Sequence, residues 1–438
     1  MRKKFFKKAL ALTLASTMAF SMVGCGSSSK DSSEGKSDDG TITLNVWHQW
    51  SNDTNELKGR YEEAVKAYEK ENPKVKIKTE TLDTEAYKTK INAEFAGDAK
   101  GIDVFYWWGA GTAKKLVDAG KVMPLDDYIT DEVKSNMMEG ATSAFEYDGK
   151  LYSVPMFSWY MTLFCNKALF EKAGAKLPNT YDELVDAVKK LEKIKGVTPM
   201  AAGAKDGWNA AFVYQALALR EVGATGVNDM LSGKKEFGDE GYTKAAEKVK
   251  DLYEMGVFGD NPLEQGNDDA NAAFENGKAA MRIMGSWFAN NVYTDKAATI
   301  KPEDVVALKI PTISDGKGEA TDYCGGFVES FWVNNNTKYK EEAAKFAIYI
   351  NEKMGVASYE TGSGFSGWKT KADESKLNPL FIQIKDLLSE GKQGVLAWDT
   401  SLEAEPAAVH NEQVQTLFAD GADVKAFIEE HKAAINGK

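Results

Sequence analysis

Cysteine and histidine are scarce in this 438-residue chain: Cys25, Cys165 and Cys324, and His48, His410 and His431, are the whole supply. So few cysteines exclude a disulfide scaffold and any multi-cysteine metal site. The histidines are scattered, with no zinc-binding pair one helical turn apart, which argues against metal catalysis. Cys165 and Cys324 sit among apolar and aromatic neighbours, which favours buried free thiols over a bridge between them. Positive charge is also short. The formal net charge is −12, and removing Arg2, Lys3, Lys4, Lys7 and Lys8 of the first segment takes it to −17 (−12 less 5). A body that acidic is a poor nucleic-acid binder.

Catalytic signatures are missing too. There is no Gly-x-Ser-x-Gly elbow and no phosphate loop ending in Gly-Lys-Ser/Thr. The run from Gly362 through Gly364 to Gly367 matches Gly-x-Gly-x-x-Gly, but it follows a predicted helix instead of a strand, so it reads as a flexible loop and no dinucleotide is expected. Among 66 acidic residues, no local pattern singles out a catalytic carboxylate pair.

What is present begins at the start of the chain. The basic cluster precedes an apolar run, Ala9 to Val23, too short to span a bilayer once its flanks are trimmed, and this reads as a secretory signal. It ends in Met22-Val23-Gly24-Cys25, which resembles the bacterial lipobox with Met22 in place of the usual leucine. That resemblance implies that Cys25 becomes the lipid-bearing mature N-terminus, each buried methylene adding about 0.8 kcal/mol of membrane affinity. The competing reading is a cleaved, freely secreted protein. Gly26 to Gly40 has no aliphatic or aromatic side chain and reads as a flexible tether of roughly 20 Å root-mean-square span. No later apolar run reaches membrane-spanning length.

The remaining four hundred or so residues suffice for two domains. Ile42, Leu44 and Val46 alternate. Leu57, Tyr61, Ala64, Val65 and Tyr68 then recur at helical spacing up to Asn72-Pro73, and Val75, Ile77 and Thr79 alternate again. A helix through Tyr87, Ile91 and Phe95 leads to the apolar strand Val104 to Trp108. This alternation predicts an α/β domain with a largely parallel sheet. A second region opens near Pro155, with strands predicted at 163–165, 280–284, 305–310 and 328–333. Its helices are predicted around 209–220, 241–255, 268–276, 340–353, 380–389 and 406–418. Thr180 and Glu183 fit a capping box.

Tryptophan is plentiful, at ten residues, and several lie where a strand pattern ends: Trp47 and Trp50, Trp107 and Trp108, and Trp287. In open α/β sheets ligands bind beyond the carboxyl ends of strands. A sugar face stacked on an indole buries about 60–100 Å², worth roughly 1.5–2.5 kcal/mol. Each tryptophan has a competing role in a core, and Trp332, inside a predicted strand, is assigned there.

From about residue 41 onward the chain resembles the extracellular solute-binding proteins of family 1, the maltose-binding-like receptors of ABC sugar importers. The residues that carry the likeness are Tyr147 to Pro155, Asn166 to Phe170, Pro178 to Leu184, Phe274 to Met281 and Gly285-Ser286-Trp287. The resemblance implies an α/β, two-lobe periplasmic-binding-protein-like fold whose hinge is crossed three times. One lobe would comprise 41–155 plus 310–356 and the other 156–309 plus 357–438, after a 1–24 signal and a 25–40 lipidated tether. To the strand-end residues Trp47, Trp50 and Trp108 the resemblance adds Asn52, Trp107, Trp159, Asp206, Trp208, Trp287, Trp398 and Asp399 as the expected ligand-binding set. Trp159 stands where maltose binders carry an acidic residue, which points to a more apolar subsite than maltose needs.

The expected function follows: a lipid-anchored, monomeric receptor on the outer face of the cytoplasmic membrane, without cofactor, metal or enzymatic activity. It would capture an oligosaccharide and deliver it to a membrane permease. A surface glycoside hydrolase, which would need two carboxylates about 5–10 Å apart, and a receptor for a non-sugar solute are the alternatives.

Overall fold

The computed structural model describes residues 40–52 and 56–437. Cys25, the signal and the tether lie outside the described residues. The first sheet is built as the alternation predicts. Ile42–His48 runs parallel to Val75–Thr81, with Ile42 opposite Val75, and to Val104–Trp108. Glu329–Val333, far away in sequence, closes the other edge antiparallel to Val104–Trp108. The helix Glu56–Glu71 buries Leu57, Tyr61 and Tyr68, and Thr84–Ala96 buries Tyr87, Ile91 and Phe95, a residue per turn facing the sheet. Asp83 caps the second helix by accepting the Ala86 N–H at 3.1 Å. Trp332 is fully buried in this core.

The second sheet is organised around one long strand, Phe157–Asn166. Ala279–Gly285, Val305–Leu308, Asp322–Phe327 and the short Phe365–Ser366 all pair with it antiparallel. Parallel pairing is confined here to the flanks, Thr198–Met200 beside Ala279–Gly285 and Gln393–Val395 beside Asp322–Phe327. Helices Gly207–Val222, Glu240–Glu254, Asn267–Glu275, Pro379–Ser389 and Ala404–Thr416 pack around it close to their expected places. Asp322–Phe327 and the helix Val424–Asn436 were not anticipated. The Thr180 capping box forms, with Thr180 Oγ1 accepting the Glu183 N–H and the Glu183 carboxylate accepting the Thr180 N–H.

Two hydrophobic cores result, and the chain passes between them three times. The first passage is at Phe157 to Trp159. The second, expected near 310, lies at Phe327 to Glu329, because Ile310 and Cys324 pack in the second core and Asp322–Phe327 belongs to its sheet. The third falls in the last turns of the helix Lys340–Glu360, where Val356 packs against the first core and Tyr359 against the second, and Trp368 then reaches back into the first. The three passages are bonded to one another. The Met156 N–H donates to the Glu329 carbonyl at 3.1 Å, the Gly367 N–H to the Met156 carbonyl at 2.9 Å, and the Trp368 indole N–H to the Pro155 carbonyl at 2.6 Å. The glycine-rich segment 361–368, read from sequence as a flexible loop, is buried along its whole length within this junction.

Cys165 and Cys324 are both buried and free. His410 and His431 meet in the second core. His431 Nδ1–H donates to the Phe427 carbonyl at 2.9 Å, so its Nε2 accepts from His410 Nδ1–H at 2.9 Å, and His410 Nε2 accepts from Gln215 at 2.9 Å. One direction of donation runs through the whole chain and both rings are neutral. Burial depresses His410 well below its usual value and His431 to about 4. His48, buried with its Nδ1 accepting the Trp50 N–H at 3.2 Å, is pushed down to about 3, chiefly by burial and further by the charge of Lys58. Among the described residues no group of three or more His, Cys, Asp or Glu is placed to hold a metal, and no helix is long and apolar enough to cross a membrane.

Two outcomes test this frame. Depressed histidines contribute stability that is complete above pH 6.5 and lost as pH falls through their folded values. Imidazole NMR signals of all three should therefore keep neutral-form shifts down to about pH 5, and a titration near 6.5 for any ring contradicts the burial. Gly325, at φ 137°, has no room for a side chain, since a Cβ would collide with the backbone carbonyl of Trp159. Gly325→Ala should cost about 3 kcal/mol of unfolding free energy, read by denaturant melting.

Candidate functional site

The strand Ala279–Gly285 ends in Gly285-Ser286-Trp287, and each residue has its own task. A Cβ at position 285 would collide with the six-membered ring of Trp287, so glycine lets the indole fold back across the strand end. Ser286 is fully buried and its Oγ accepts the Tyr160 N–H at 3.2 Å, tying the turn to the central strand. Trp287 is left half-buried, edge-on to Trp159 with ring centroids 5.2 Å apart. Trp159 stacks on Phe212 at 5.3 Å and 26°. Trp208, one helical turn before Phe212, meets it edge-on at 5.3 Å and lies 6.4 Å from Trp287. Trp159, Trp208 and Trp287 thus form one aromatic wall with Phe212, with Trp208 and Trp287 retaining exposed surface.

The loops beneath this wall are held by a buried guanidinium. Arg282 donates from Nε to Asn271 Oδ1 at 2.8 Å and from Nη2 to Asn267 Oδ1 at 3.0 Å and Asn209 Oδ1 at 3.4 Å. Burial lowers its pKa to about 9, opposed by the charges of Glu275, Asp268 and Asp206. Asp206, expected to face a ligand, is half-buried and uses Oδ2 to accept the Asn267 N–H at 2.6 Å. That bond staples the start of the helix Gly207–Val222 to the start of Asn267–Glu275.

On the first lobe, Tyr87 bolts its helix across two strand ends, donating to the Tyr106 carbonyl at 2.6 Å and also lying 3.1 Å from the Trp47 carbonyl. The same helix extends Lys88 over the half-buried Trp108 ring at 5.1 Å and Lys90 over Trp47 at 5.4 Å. Trp107 is 4% exposed, because strand alternation sends it to the opposite face from Trp108. Its indole N–H and the Oε1 of Gln49, at the ends of adjacent strands, are buried without a protein partner. A donor and an acceptor left open in this way suit water or a hydroxyl-bearing ligand.

Five of the expected tryptophans, Trp47, Trp50, Trp107, Trp159 and Trp398, are buried members of the two cores, and two of these are packed away from any site. Trp50 packs among His48, Tyr106 and Phe331. Trp398 is 1% exposed, stacked on His410 at 4.9 Å and edge-on to Tyr214 and Tyr242, so it presents no free face. Its neighbour Asp399 is half-buried where the lobes touch. Thr112 Oγ1 donates to the Thr400 carbonyl at 3.3 Å, and a Cβ on Gly111 would collide with the carbonyls of Ser401 and Leu402. Burial raises the Asp399 carboxyl, while Lys88 of the first lobe pulls it back down. Asn52 is exposed beside residues 53–55, which are not among those described.

Residues 52–357 match the model of a family described as bacterial extracellular solute-binding proteins. The chain belongs to that family. A solved structure from work on xylan utilization by the thermophilic bacterium Caldanaerobius polysaccharolyticus superimposes with a TM-score of 0.85 at 36% identity, covering 89% of this chain and 99% of that one. The multiple sugar-binding protein of Streptococcus mutans is 25% identical over 396 residues, 86% of each chain. The galactooligosaccharide-binding protein of Bacillus subtilis is 28% identical over 388 residues, 85% of this chain and 83% of that one. The two-lobe architecture is that of this solute-binding family, whose members work outside the cell.

Phe212, Lys88 and Lys90 were not singled out from the sequence of this solute-binding protein. Phe212 is legible in hindsight at i+4 from Trp208. The lysines carry no local signal, since their rings come from strands elsewhere. Gly285→Ala should push the Trp287 ring out of place and weaken ligand binding roughly tenfold while leaving the melting temperature within a few degrees. Calorimetric titration beside a thermal melt checks both.

Proposed function

We propose that this protein captures an oligosaccharide between its lobes and presents it to the membrane permease of an ABC importer, without altering it chemically. The reading is supported by the wall of Trp159, Trp208, Phe212 and Trp287 on the second lobe, together with the half-buried Trp108 at a strand end of the first. Sugar rings present apolar C–H faces to such plates. Three or four stacked faces of about 2 kcal/mol each, less the cost of association, give micromolar affinity, about −8 kcal/mol. A ligand touching both walls is what shifts the lobes toward closure, because only a difference in affinity between open and closed states moves that equilibrium.

Xylo-oligosaccharides are the first series to try, since the structural neighbour at 36% identity comes from work on xylan utilization, with galacto-, manno-, cello- and malto-oligosaccharides beside them. The protein acts as a monomer held at the outer face of the membrane by lipid on Cys25. Replacing Cys25 by Ala should release it into the medium, and retention on cells in that variant counts against the anchor.

Calorimetric titration with chromatography of the sugar afterwards is the test. Saturable micromolar binding with intact sugar upholds the receptor, cleavage makes the protein a hydrolase, and silence across all series removes oligosaccharides. Trp287→Ala should weaken binding by about 2 kcal/mol, the value of one stacked face, with the fold intact.

A further inference from the structure

Glu329 is a lone carboxylate in an apolar strand, directly opposite Trp108 across the antiparallel ladder. Directly opposed residues project to the same face, so the carboxylate lies beside the indole plate of the first-lobe wall. Its Oε2 accepts the Tyr106 hydroxyl proton at 2.6 Å, and Tyr106 in turn meets the Trp108 ring edge-on at 5.2 Å. Tyr106 and Trp108, two residues apart on one strand, thus lie on the same face as the carboxylate. The backbone carbonyl of the same residue accepts the Met156 N–H, one of the bonds that join the passages between the lobes. Glu329 therefore stands at once on the hinge and against the ligand-facing indole, although it is only 7% exposed.

We propose that Glu329 is a positioning residue for ligand capture: it holds the Trp108 indole in its plane and gains a proton when the lobes close on a ligand. This rests on the oligosaccharide reading of the cleft. The charged and titratable groups facing Glu329 are few. Tyr106 donates to it, and Lys88 is the one cation whose charge reaches it. Lys88 is shared, pairing with Glu85 at 3.1 Å on its own helix and feeling Asp399 from the second lobe. Burial already raises the Glu329 carboxyl to about 7, against the pull of Tyr106, Trp108 and Lys88. A sugar laid over Trp108 strips the remaining water and disfavours the ionised form further. Capture at neutral pH then draws in a fraction of a proton, and affinity rises as pH falls.

The same shift fixes the sign for stability. A carboxyl raised from 4.5 to about 7 contributes stability that is complete below pH 4.5 and lost as pH rises through 7. Glu329→Gln, which keeps an acceptor for Tyr106 but cannot ionise, should melt progressively above the wild type as pH rises from 4.5 to 7, with the difference levelling off above that.

The full chain answers the question in two steps. Without ligand, tryptophan emission of the wild type should titrate with a midpoint near pH 7. The transition should vanish in Glu329→Gln and in Trp108→Phe, and move up by about one pH unit or more in Tyr106→Phe, which loses a charge-assisted donor. A flat wild-type profile, or one unchanged in Glu329→Gln, overturns the proposal. With a xylo-oligosaccharide, titration at pH 7 in two buffers of different ionisation heat should reveal proton uptake in the wild type and none in Glu329→Gln. Wild-type affinity should be about three- to tenfold tighter at pH 6 than at pH 8. Equal heats in both buffers overturn the proton linkage. If emission titrates as expected but no oligosaccharide binds, the hold of Glu329 on Trp108 is upheld and the sugar reading is what fails.

Discussion

The three passages between the lobes are short, and they hydrogen-bond to one another as well as to the lobes they join. Met156 is the centre of this junction, giving its N–H to Glu329 and its carbonyl to Gly367, while Pro155 next to it takes the Trp368 indole proton. A backbone bundled in this manner permits rotation about itself and resists shear, because sliding would break several buried bonds of roughly 1 kcal/mol each at once. Two strands lead away from that axis. Phe157–Asn166 carries Trp159 from it into the second sheet, and Glu329–Val333 carries Glu329 from it into the first.

The aromatic residues divide according to which side of a strand or helix turn they leave from. Trp107 and Trp108 are adjacent in sequence and opposite in space, so one is sealed and the other keeps a face toward solvent. Trp50 and Trp398 satisfy the demand of each core for large apolar volume, and Trp398 adds a plate against which His410 stacks. Two of the buried polar networks are well satisfied. The histidine chain has a donor for every acceptor, and Arg282 spends its protons on three asparagines that fix the loops below the aromatic wall. These networks let polar residues sit in a dry interior.

Much of this was legible beforehand. Period-two runs located the first sheet, helical spacing located most helices, and Thr180 with Glu183 marked a helix start that forms as written. The tripeptide Gly285-Ser286-Trp287 was legible as a motif, though the reason for its glycine is a steric contact that only coordinates reveal. The passage expected at 310 lay beyond reach because Asp322–Phe327, with paired glycines at its end, does not look like a strand. Trp398 was misjudged since position relative to terminal helices says nothing about which way a ring points. Glu329 did have a signal, an acid within an apolar strand, but its significance depends on Tyr106 and Trp108, more than two hundred residues away.

Gly111 touches the carbonyls of Ser401 and Leu402 so closely that only hydrogen fits between them. Because that meeting involves main chain on both sides, it does not depend on which side chains stand at 401 or 402. The segment there is free to drift in sequence while the stop it forms stays in place. A mechanical limit on how far the lobes approach would in this way outlast changes in the sugar they were selected to hold, with a single glycine as its only requirement.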